Sequence, residues 1–126
     1  MQAFSTIPVT VFVLTRDRAL SKPFYDLVLG LTQQSDGDYS TVYDLNGSEL
    51  HLTTVKDHKA SVHPVLGWAV TDIRKTAMGL VQRGVSFTLY DGYGQDDLGI
   101  WSSPDGSSKM CWFADPDGNV LSLSEG

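Results

Sequence analysis

The chain has 126 residues, which is enough for one domain with a hydrophobic core and too few for two. Its 41% hydrophobic and 19% charged residues are typical of a globular protein, and no apolar run approaches the ~20 residues that a membrane span needs. The net charge is −6 and the nine Lys and Arg residues form no basic run, which argues against binding to nucleic acid because phosphate contacts need clustered cations.

Two features predict a cytoplasmic protein. The single cysteine, Cys111, has no partner for an internal disulfide, which fits a reducing compartment. Residues Met1 to Ser5 lack the basic region and following apolar stretch of a secretory signal. We therefore expect no association with membranes.

The first half of the chain predicts a strand and then a helix. Residues Ile7 to Leu14 are β-branched and apolar, as in a strand buried on both faces. Apolar side chains recur at helical spacing from Ala19 to Leu29. Pro23 is tolerated only in a first turn, so we expect the helix to begin near Ser21 and to end at Gly30.

A polar link and a hairpin follow. Thr32 to Gly37 is predicted to be an irregular connection. Tyr39 to Leu45 and Glu49 to Val55 alternate as strands around Asn46-Gly47, a strong signal for a two-residue hairpin turn.

The second half repeats this order of elements. A strand is predicted over Val65 to Val70, and then a helix that Asp72 caps and Gly84 ends. A further strand is predicted over Val85 to Tyr90, followed by a Gly- and Asp-rich stretch from Asp91 to Ser108.

The chain closes with two more predicted strands, Lys109 to Phe113 and Asn119 to Ser124. The turn sequence Asp115-Pro116-Asp117-Gly118 separates them.

The two halves correspond to each other. Gly47 to Leu52 matches Gly118 to Leu123, so that His51 and Ser122 occupy equivalent positions. The second half carries about sixteen extra residues, the Asp91 to Ser108 stretch. We predict a single domain, residues 1–126, made of two βαβββ modules at about 6–55 and 65–125.

The chain resembles the vicinal oxygen chelate superfamily, which includes glyoxalases, bleomycin-resistance proteins and dioxygenases. Ser21 to Leu31 (SKPFYDLVLGL) is similar to the "FY…vLGl" helix of that superfamily, and Trp112 to Leu123 (WFADPDGNVLSL) to its closing "F.DPdGn.iel" motif. The resemblance implies an α+β fold in which two paired βαβββ modules form curved sheets around a central cavity. It also implies a homodimer.

The same resemblance implies a divalent metal held by the first and last strands of each module. The corresponding positions fall near Thr10, at His51, near Leu66 and at Ser122. Only His51 is a good ligand, and Glu49, on the same face of its strand, is a second candidate. The sequence therefore predicts no complete metal site and no required cofactor, with a divalent metal as the alternative.

With Thr10 facing the cavity, as the resemblance implies, alternation along the strands predicts a pocket with polar points and an apolar wall; the alternative is that the aromatic residues fill the core. The polar points are Thr10, His51 and Ser122, and the wall is Phe12 and Trp112. The loop residue Trp101 is a further candidate, either stacking on a ligand, acting as a lid, or anchoring a partner subunit.

Other polar residues are interpreted as structural. Cys111 is predicted to be a buried, inert thiol, and His58 and His63 to be loop residues. Asp96 and Asp97 are predicted to lie in a solvated acidic loop.

These observations favour a protein that binds a partly apolar organic molecule, with the negative net charge favouring a cationic one. Two enzymes remain as alternatives. One is a metal-dependent lyase or dioxygenase-type enzyme that uses His51 and Glu49. The other is a metal-free enzyme with His51 as general base.

Overall fold

The computed structural model describes residues 3–126, so the predictions that touch Met1 and Gln2 lie outside the described residues. The chain divides into two compact units, one up to His58 and one from Lys59 to Gly126. The boundary falls within the polar connection that separates the predicted modules, and we call the units module one and module two.

Module one contains a four-stranded sheet. Its elements are a 3-10 turn (Phe4–Thr6), β1 (Thr10–Thr15), α1 (Arg18–Pro23) with a following π-helical turn (Phe24–Val28), β2 (Gln33–Asp36), β3 (Ser40–Leu45) and β4 (Ser48–Thr54). The strand order is β1-β4-β3-β2, with β1 parallel to β4 and the other pairs antiparallel. The β3–β4 turn is the predicted one, since Asn46 and Gly47 both have positive φ, 51° and 97°.

One face of this sheet forms the core of the module. Leu50 and Leu52 of β4 are fully buried, as is Tyr43 of β3, which contacts Tyr25 of the π-helical turn. The Tyr43 hydroxyl donates a hydrogen bond of 2.7 Å to Asp26. Burial and this bond raise the pKa of Tyr43, so the phenol stays protonated.

The first helix differs from the sequence prediction. It begins at Arg18, capped by Asp17, whose carboxylate accepts a 3.0 Å hydrogen bond from the Ala19 N–H. Ser21 is not a cap but is buried inside the helix. Pro23 ends the α-helical part because it lacks an N–H, and the chain continues as the wider π-helical turn.

Two further expectations for module one were wrong. The predicted polar link contains β2, which pairs with β3 through an irregular register. Strand β1 is not buried on both faces, because Phe12 is 63% exposed while Val13 is buried. Strand β1 lies at the edge of the sheet and only one of its faces packs on the core.

Module two repeats the arrangement. Its elements are β5 (Pro64–Ala69), α2 (Ile73–Gln82), β6 (Trp101–Ser102), β7 (Lys109–Ala114) and β8 (Val120–Glu125). The strand order is β5-β8-β7-β6, and β5 is parallel to β8.

The core of module two lies between α2 and one face of the sheet. The buried sheet residues are Cys111, Phe113, Leu121 and Leu123, and the buried helix residues are Ile73, Ala77 and Leu80. Helix α2 begins as predicted, since the Asp72 carboxylate accepts a 3.1 Å hydrogen bond from the Lys75 N–H.

The segment between α2 and β7 differs from the prediction. Residues 85–90 form no strand, and the pairing strand of the module is β6, which lies inside the predicted loop. The Thr88 N–H still donates a 2.8 Å backbone hydrogen bond to the Trp112 carbonyl of β7, while the Gln95 side chain bonds the Tyr90 N–H and the Thr88 carbonyl.

The architecture is α+β and consists of two βαβββ modules, as predicted. Over the described part of the chain, neither helix is long and apolar enough to cross a membrane.

Candidate functional site

In each module the sheet face away from the helix, which we call the open face, carries the residues that the sequence singled out. In module one, alternation along β4 buries Leu50 and Leu52 in the core and turns Glu49 and His51 to the open face.

The register of β1 and β4 brings four of the predicted residues together. Phe12 pairs with His51 and Thr10 pairs with Glu49. The rings of Phe12 and His51 lie 5.3 Å apart between centroids at an angle of 44°, so the two side chains are in contact. Thr10 lies on the same face of β1 as Phe12, two residues earlier, and is therefore opposite Glu49 and not opposite His51.

His51 and Glu49 form a polar pair beside the exposed Phe12 ring. The distance between Nε2 of His51 and Oε1 of Glu49 is 3.2 Å. When Nε2 carries the proton, it donates a hydrogen bond to the Glu49 carboxylate, and Nδ1 is left free to act as an acceptor. This corner of the open face therefore offers an aromatic surface, a carboxylate and an imidazole.

The open face of module two carries the other three predicted residues. Ser122 of β8 pairs with Trp112 of β7, and Trp101 of β6 pairs with Met110 on the same strand as Trp112. Met110 and Trp112 share a face, so Trp101, Trp112 and Ser122 all lie on the open face of this sheet.

Ser122 fits closely against the neighbouring strand. Its register partner on β5 is Gly67, not the expected Leu66, because the β5–β8 register shifts between Pro64 and Leu66. A Cβ at position 67 would collide with the Ser122 hydroxyl. Ser122 is only 8% exposed, so it presents little surface of its own.

An aromatic cluster beside Trp112 was missed by the sequence analysis. The rings of Tyr90, Tyr93 and Trp112 contact one another, with centroid distances of 5.4, 5.5 and 6.1 Å. The Tyr-Asp-Gly-Tyr sequence is a signal that could have revealed it, because a turn at Asp91-Gly92 brings the two tyrosines to one side.

Solved structures with the same fold were found over nearly the whole chain. A glyoxalase/bleomycin resistance protein/dioxygenase from Alicyclobacillus acidocaldarius superposes with a TM-score of 0.71 at 19% identity, covering 95% of this chain and 91% of that chain. A lactoylglutathione lyase from Agrobacterium tumefaciens gives 0.73 at 14% identity, covering 96% and 94%. The protein UcmS2 gives 0.74 at 22% identity, covering 98% of each chain.

The chain has the glyoxalase/bleomycin-resistance fold. This confirms the resemblance to the vicinal oxygen chelate superfamily at the level of the fold. No family model matches the sequence, and no curated protein matches it.

The donor set on the open faces does not match the divalent metal for which this superfamily is named. A metal ion needs about three protein donors to be held well. Module one offers His51 and Glu49, whereas the equivalent strand of module two carries Ser122 in place of a carboxylate or imidazole. Within residues 3–126, no three His, Cys, Asp or Glu side chains lie together as ligands would.

The remaining polar residues have structural surroundings. Cys111 is fully buried, which confirms the prediction of a buried thiol, and burial raises the pKa of that thiol to about 12. Asp96 and Asp97 are not simply solvated, since both bond the Arg74 guanidinium at 3.3 Å. That contact holds the pKa of the Asp97 carboxyl below its usual range.

A surface depression of about 540 Å³ lies along α2 and is lined by Asp72, Arg74, Lys75, Met78, Gly79 and Gln82. It is on the helix side of the module-two sheet, away from Trp112 and Ser122. Its lining is mostly charged or polar and contains no aromatic side chain, so we place no site there.

Proposed function

We propose that this protein binds a small, partly apolar organic molecule and has no complete metal site. The observation that carries the proposal is the exposed Phe12 ring in contact with the His51–Glu49 pair on the open face of module one. An apolar surface with a few convergent polar groups is the usual composition of an organic-ligand site.

The exposure of Phe12 supports a binding role over a role in the core. Leaving 63% of a phenylalanine in water gives up stabilisation that burial would provide. Single exposed apolar residues are common on protein surfaces. Phe12 differs from these because its ring is placed against the imidazole, where a ligand would cover both at once.

We propose six side chains as ligand contacts, three on the open face of each module taken by itself. Thr10, Phe12 and His51 lie on the open face of module one. Trp101, Trp112 and Ser122 lie on the open face of module two, where Ser122 sets the shape of the surface around Trp112 more than it supplies exposed area.

The experiment is a fragment screen followed by NMR on ¹⁵N-labelled protein. We expect binding fragments to shift the amide signals of residues 10–14 and 49–53, and Phe12→Ala and His51→Ala to abolish these shifts. His58→Ala and Tyr39→Leu are matched controls in the same module and should leave them intact. Shifts confined to other segments, or unchanged in both site variants, would overturn the proposal.

Elemental analysis tests the metal half of the proposal. Protein dialysed against zinc, nickel or manganese and then desalted should retain well below one equivalent. A stoichiometric metal that is lost in His51→Ala would instead support a metal-dependent enzyme using His51 and Glu49.

A second candidate function is a metal-free enzyme, favoured by the contact between His51 and Glu49. A carboxylate that holds one imidazole nitrogen orients the other as a general base. Incubation of the tightest-binding fragment with the protein, followed by ¹H NMR, should show no product under the first proposal. Turnover that His51→Gln abolishes would favour the enzyme.

We also propose that the protein is a cytoplasmic homodimer. The superfamily resemblance supports the dimer, and the single buried Cys111 is compatible with a reducing compartment. Light scattering coupled to size exclusion should give twice the chain mass of 13.8 kDa, and a monomer at micromolar concentration would contradict it.

A further inference from the structure

The aromatic cluster of module two has a defined geometry. Tyr90 and Tyr93 both stand edge-on to Trp112, each at an interplanar angle of 84°, and are tilted by 41° to each other. Edge-to-face contacts of this kind are favourable because the positive edge of one ring meets the negative face of another. The three rings therefore hold one another in place.

This cluster lies at the surface and not in the core. Trp112 is on the open face of the sheet, opposite the buried Cys111 and Phe113, and Tyr93 is 52% exposed. The cluster thus keeps aromatic surface in contact with solvent although burial would be more favourable.

The loop that carries the tyrosines is fixed by one side chain. The Oε1 atom of Gln95 accepts a 2.7 Å hydrogen bond from the Tyr90 N–H. Its Nε2 atom donates to the carbonyl oxygens of Thr88 and Gly99 at 2.9 and 2.7 Å. Gln95 therefore connects both ends of the loop and sets the position of Tyr90.

Further contacts close the same loop. The Asp96 carboxylate accepts 2.9 Å hydrogen bonds from the N–H groups of Leu98 and Ile100 and also contacts Arg74. Gly99 has a φ of +85°, and a Cβ there would lie 2.9 Å from that of Phe87. A loop held this firmly presents Tyr93 in one position.

The segment that carries the tyrosines is acidic. Residues 84–108 contain four aspartates and no Lys or Arg, Arg74 of α2 pairs with Asp96 and Asp97, and Lys109 of β7 lies opposite Ser102. No hydrogen bond or ion pair within residues 3–126 engages the Asp91 carboxylate, next to Tyr90. Aromatic faces also attract cations, so the negative charge of the segment and the aromatic rings both favour a positively charged ring in the ligand.

We propose that Tyr90, Tyr93 and Trp112 form a preassembled platform for a planar, positively charged ring of the ligand, with Gln95 as the residue that positions it. This inference rests on the proposed function only in taking the ligand to be a small organic molecule. Preassembly lowers the entropy that binding must overcome, which is the physical role of the Gln95 anchor.

The probe for this site is 1-methylquinolinium, measured by isothermal titration calorimetry. Quinoline removes the charge, and decahydro-1,1-dimethylquinolinium keeps the charge but removes the planar π system. We expect 1-methylquinolinium to bind about fivefold or more tightly than either, since stacking and cation–π attraction each contribute on that scale. Equal affinity for the saturated cation would overturn the proposal.

Two substitutions locate the binding. Trp112→Leu and Tyr93→Leu should each weaken 1-methylquinolinium about fivefold or more. Tyr93 is half exposed, so its variant should fold even where the Trp112 variant does not. Tyr39→Leu is the matched control in module one and should have no effect. Unchanged affinity in Tyr93→Leu would also refute the site.

A double-mutant cycle tests the role of Gln95. Gln95→Ala should weaken the binding of the probe about as much as Tyr93→Leu does, and should add little when Tyr93→Leu is already present. The reason is that Gln95 holds Tyr90, whose ring packs against Tyr93, so both changes disturb the same pair of rings. Gln82→Ala, on α2, is the matched control. Additive effects in the cycle would show that Gln95 acts on the fold alone and not on the platform.

Failure of the platform can be told apart from failure of the proposed function. Fragment-induced shifts at residues 10–14 and 49–53 report the module-one contact, whereas the loss of 1-methylquinolinium affinity in Tyr93→Leu reports the platform. If fragments fail to bind at Phe12 and His51 while the probe binds here, the proposed function fails and the platform stands.

Discussion

Replacing Phe12 with alanine separates the two roles that an aromatic residue can have, packing in the core and contact with a ligand. Burying a phenylalanine fully removes about 200 Å² from water. Because Phe12 is 63% exposed, only about a third of that area is covered in the fold. At about 25 cal/mol per Å² this corresponds to ~2 kcal/mol as an upper limit for the loss of stability in Phe12→Ala.

The matched substitution is Phe113→Ala in the core of module two. Phe113 is 1% exposed, and a buried Phe→Ala change costs about 3–5 kcal/mol because it also leaves a cavity. Urea unfolding of both variants, followed by circular dichroism, should therefore give clearly different midpoints. A loss of about 4 kcal/mol for Phe12→Ala would mean that this ring is covered in solution, and our interpretation of the open face would be wrong.

The exposed area of the Phe12 side chain determines how much Phe12→Ala should weaken ligand binding. The exposed 63% is about 125 Å², which is worth ~3 kcal/mol, or roughly a hundredfold in Kd, if a ligand covers it completely. Calorimetry with the tightest fragment from the screen measures this loss. An affinity unchanged by Phe12→Ala would remove Phe12 from the site.

Three further predictions concern the frame around the sites. The pKa of Asp36 lies below its ordinary value of 3.8 because Lys22, Thr41 and Arg18 stabilise the carboxylate. The ionised Asp36 therefore contributes to stability above pH 3.8, and this contribution is lost as the pH falls through the lowered pKa. Asp36→Asn should thus be less stable than wild type near neutral pH, with a difference that shrinks in acid unfolding titrations; a pH-independent difference would contradict this. Cys111, with a pKa of about 12 and no exposure, should react with a thiol reagent at pH 8 only as fast as the chain opens, so rapid labelling of folded protein would refute its burial. Gly99→Ala should cost more than Gly94→Ala in thermal unfolding, by about 1 kcal/mol or more, because both have positive φ but only position 99 lacks space for a Cβ.

Local patterns were sufficient to predict the strands that define the two faces. Alternation placed Leu121 and Leu123 on the core face and Ser122 opposite them, and the Asn46-Gly47 turn fixed the hairpin of module one. These predictions succeeded because period-two alternation and positive-φ turns depend on adjacent residues.

The segment after α2 could not be predicted in the same way. Residues 85–90 have strand-like composition and the Thr88 N–H bonds Trp112 of β7, but the side-chain amide of Gln95 bonds the Tyr90 N–H and the Thr88 carbonyl. The pairing strand β6 is only two residues long, which leaves no detectable period. The Gln95 bonds and the β6–β7 pairing join residues that no periodic pattern in the sequence connects.

Prediction of the candidate site was limited for the same reason. The faces of Phe12, His51 and Trp112 follow from alternation along their strands. The packing of Tyr90 and Tyr93 against Trp112 depends on the path of the loop, and the pairing of Arg74 with Asp97 depends on where α2 lies beside it. Neither contact can be predicted from the spacing of these residues along the chain.

The loop of module two separates anchoring from contact, and this matters for protein engineering. Its anchors are Gln95, Asp96 and Gly99, which bond or pack mainly within the loop, whereas the turn at residues 91–94 contributes one backbone bond, from the Tyr93 N–H to the Tyr90 carbonyl. A library that randomises positions 91 and 93, and keeps the three anchors and the positive-φ Gly92 and Gly94, would vary the proposed binding surface without rebuilding the fold. Variants at these two positions should therefore differ in the ligand that they bind.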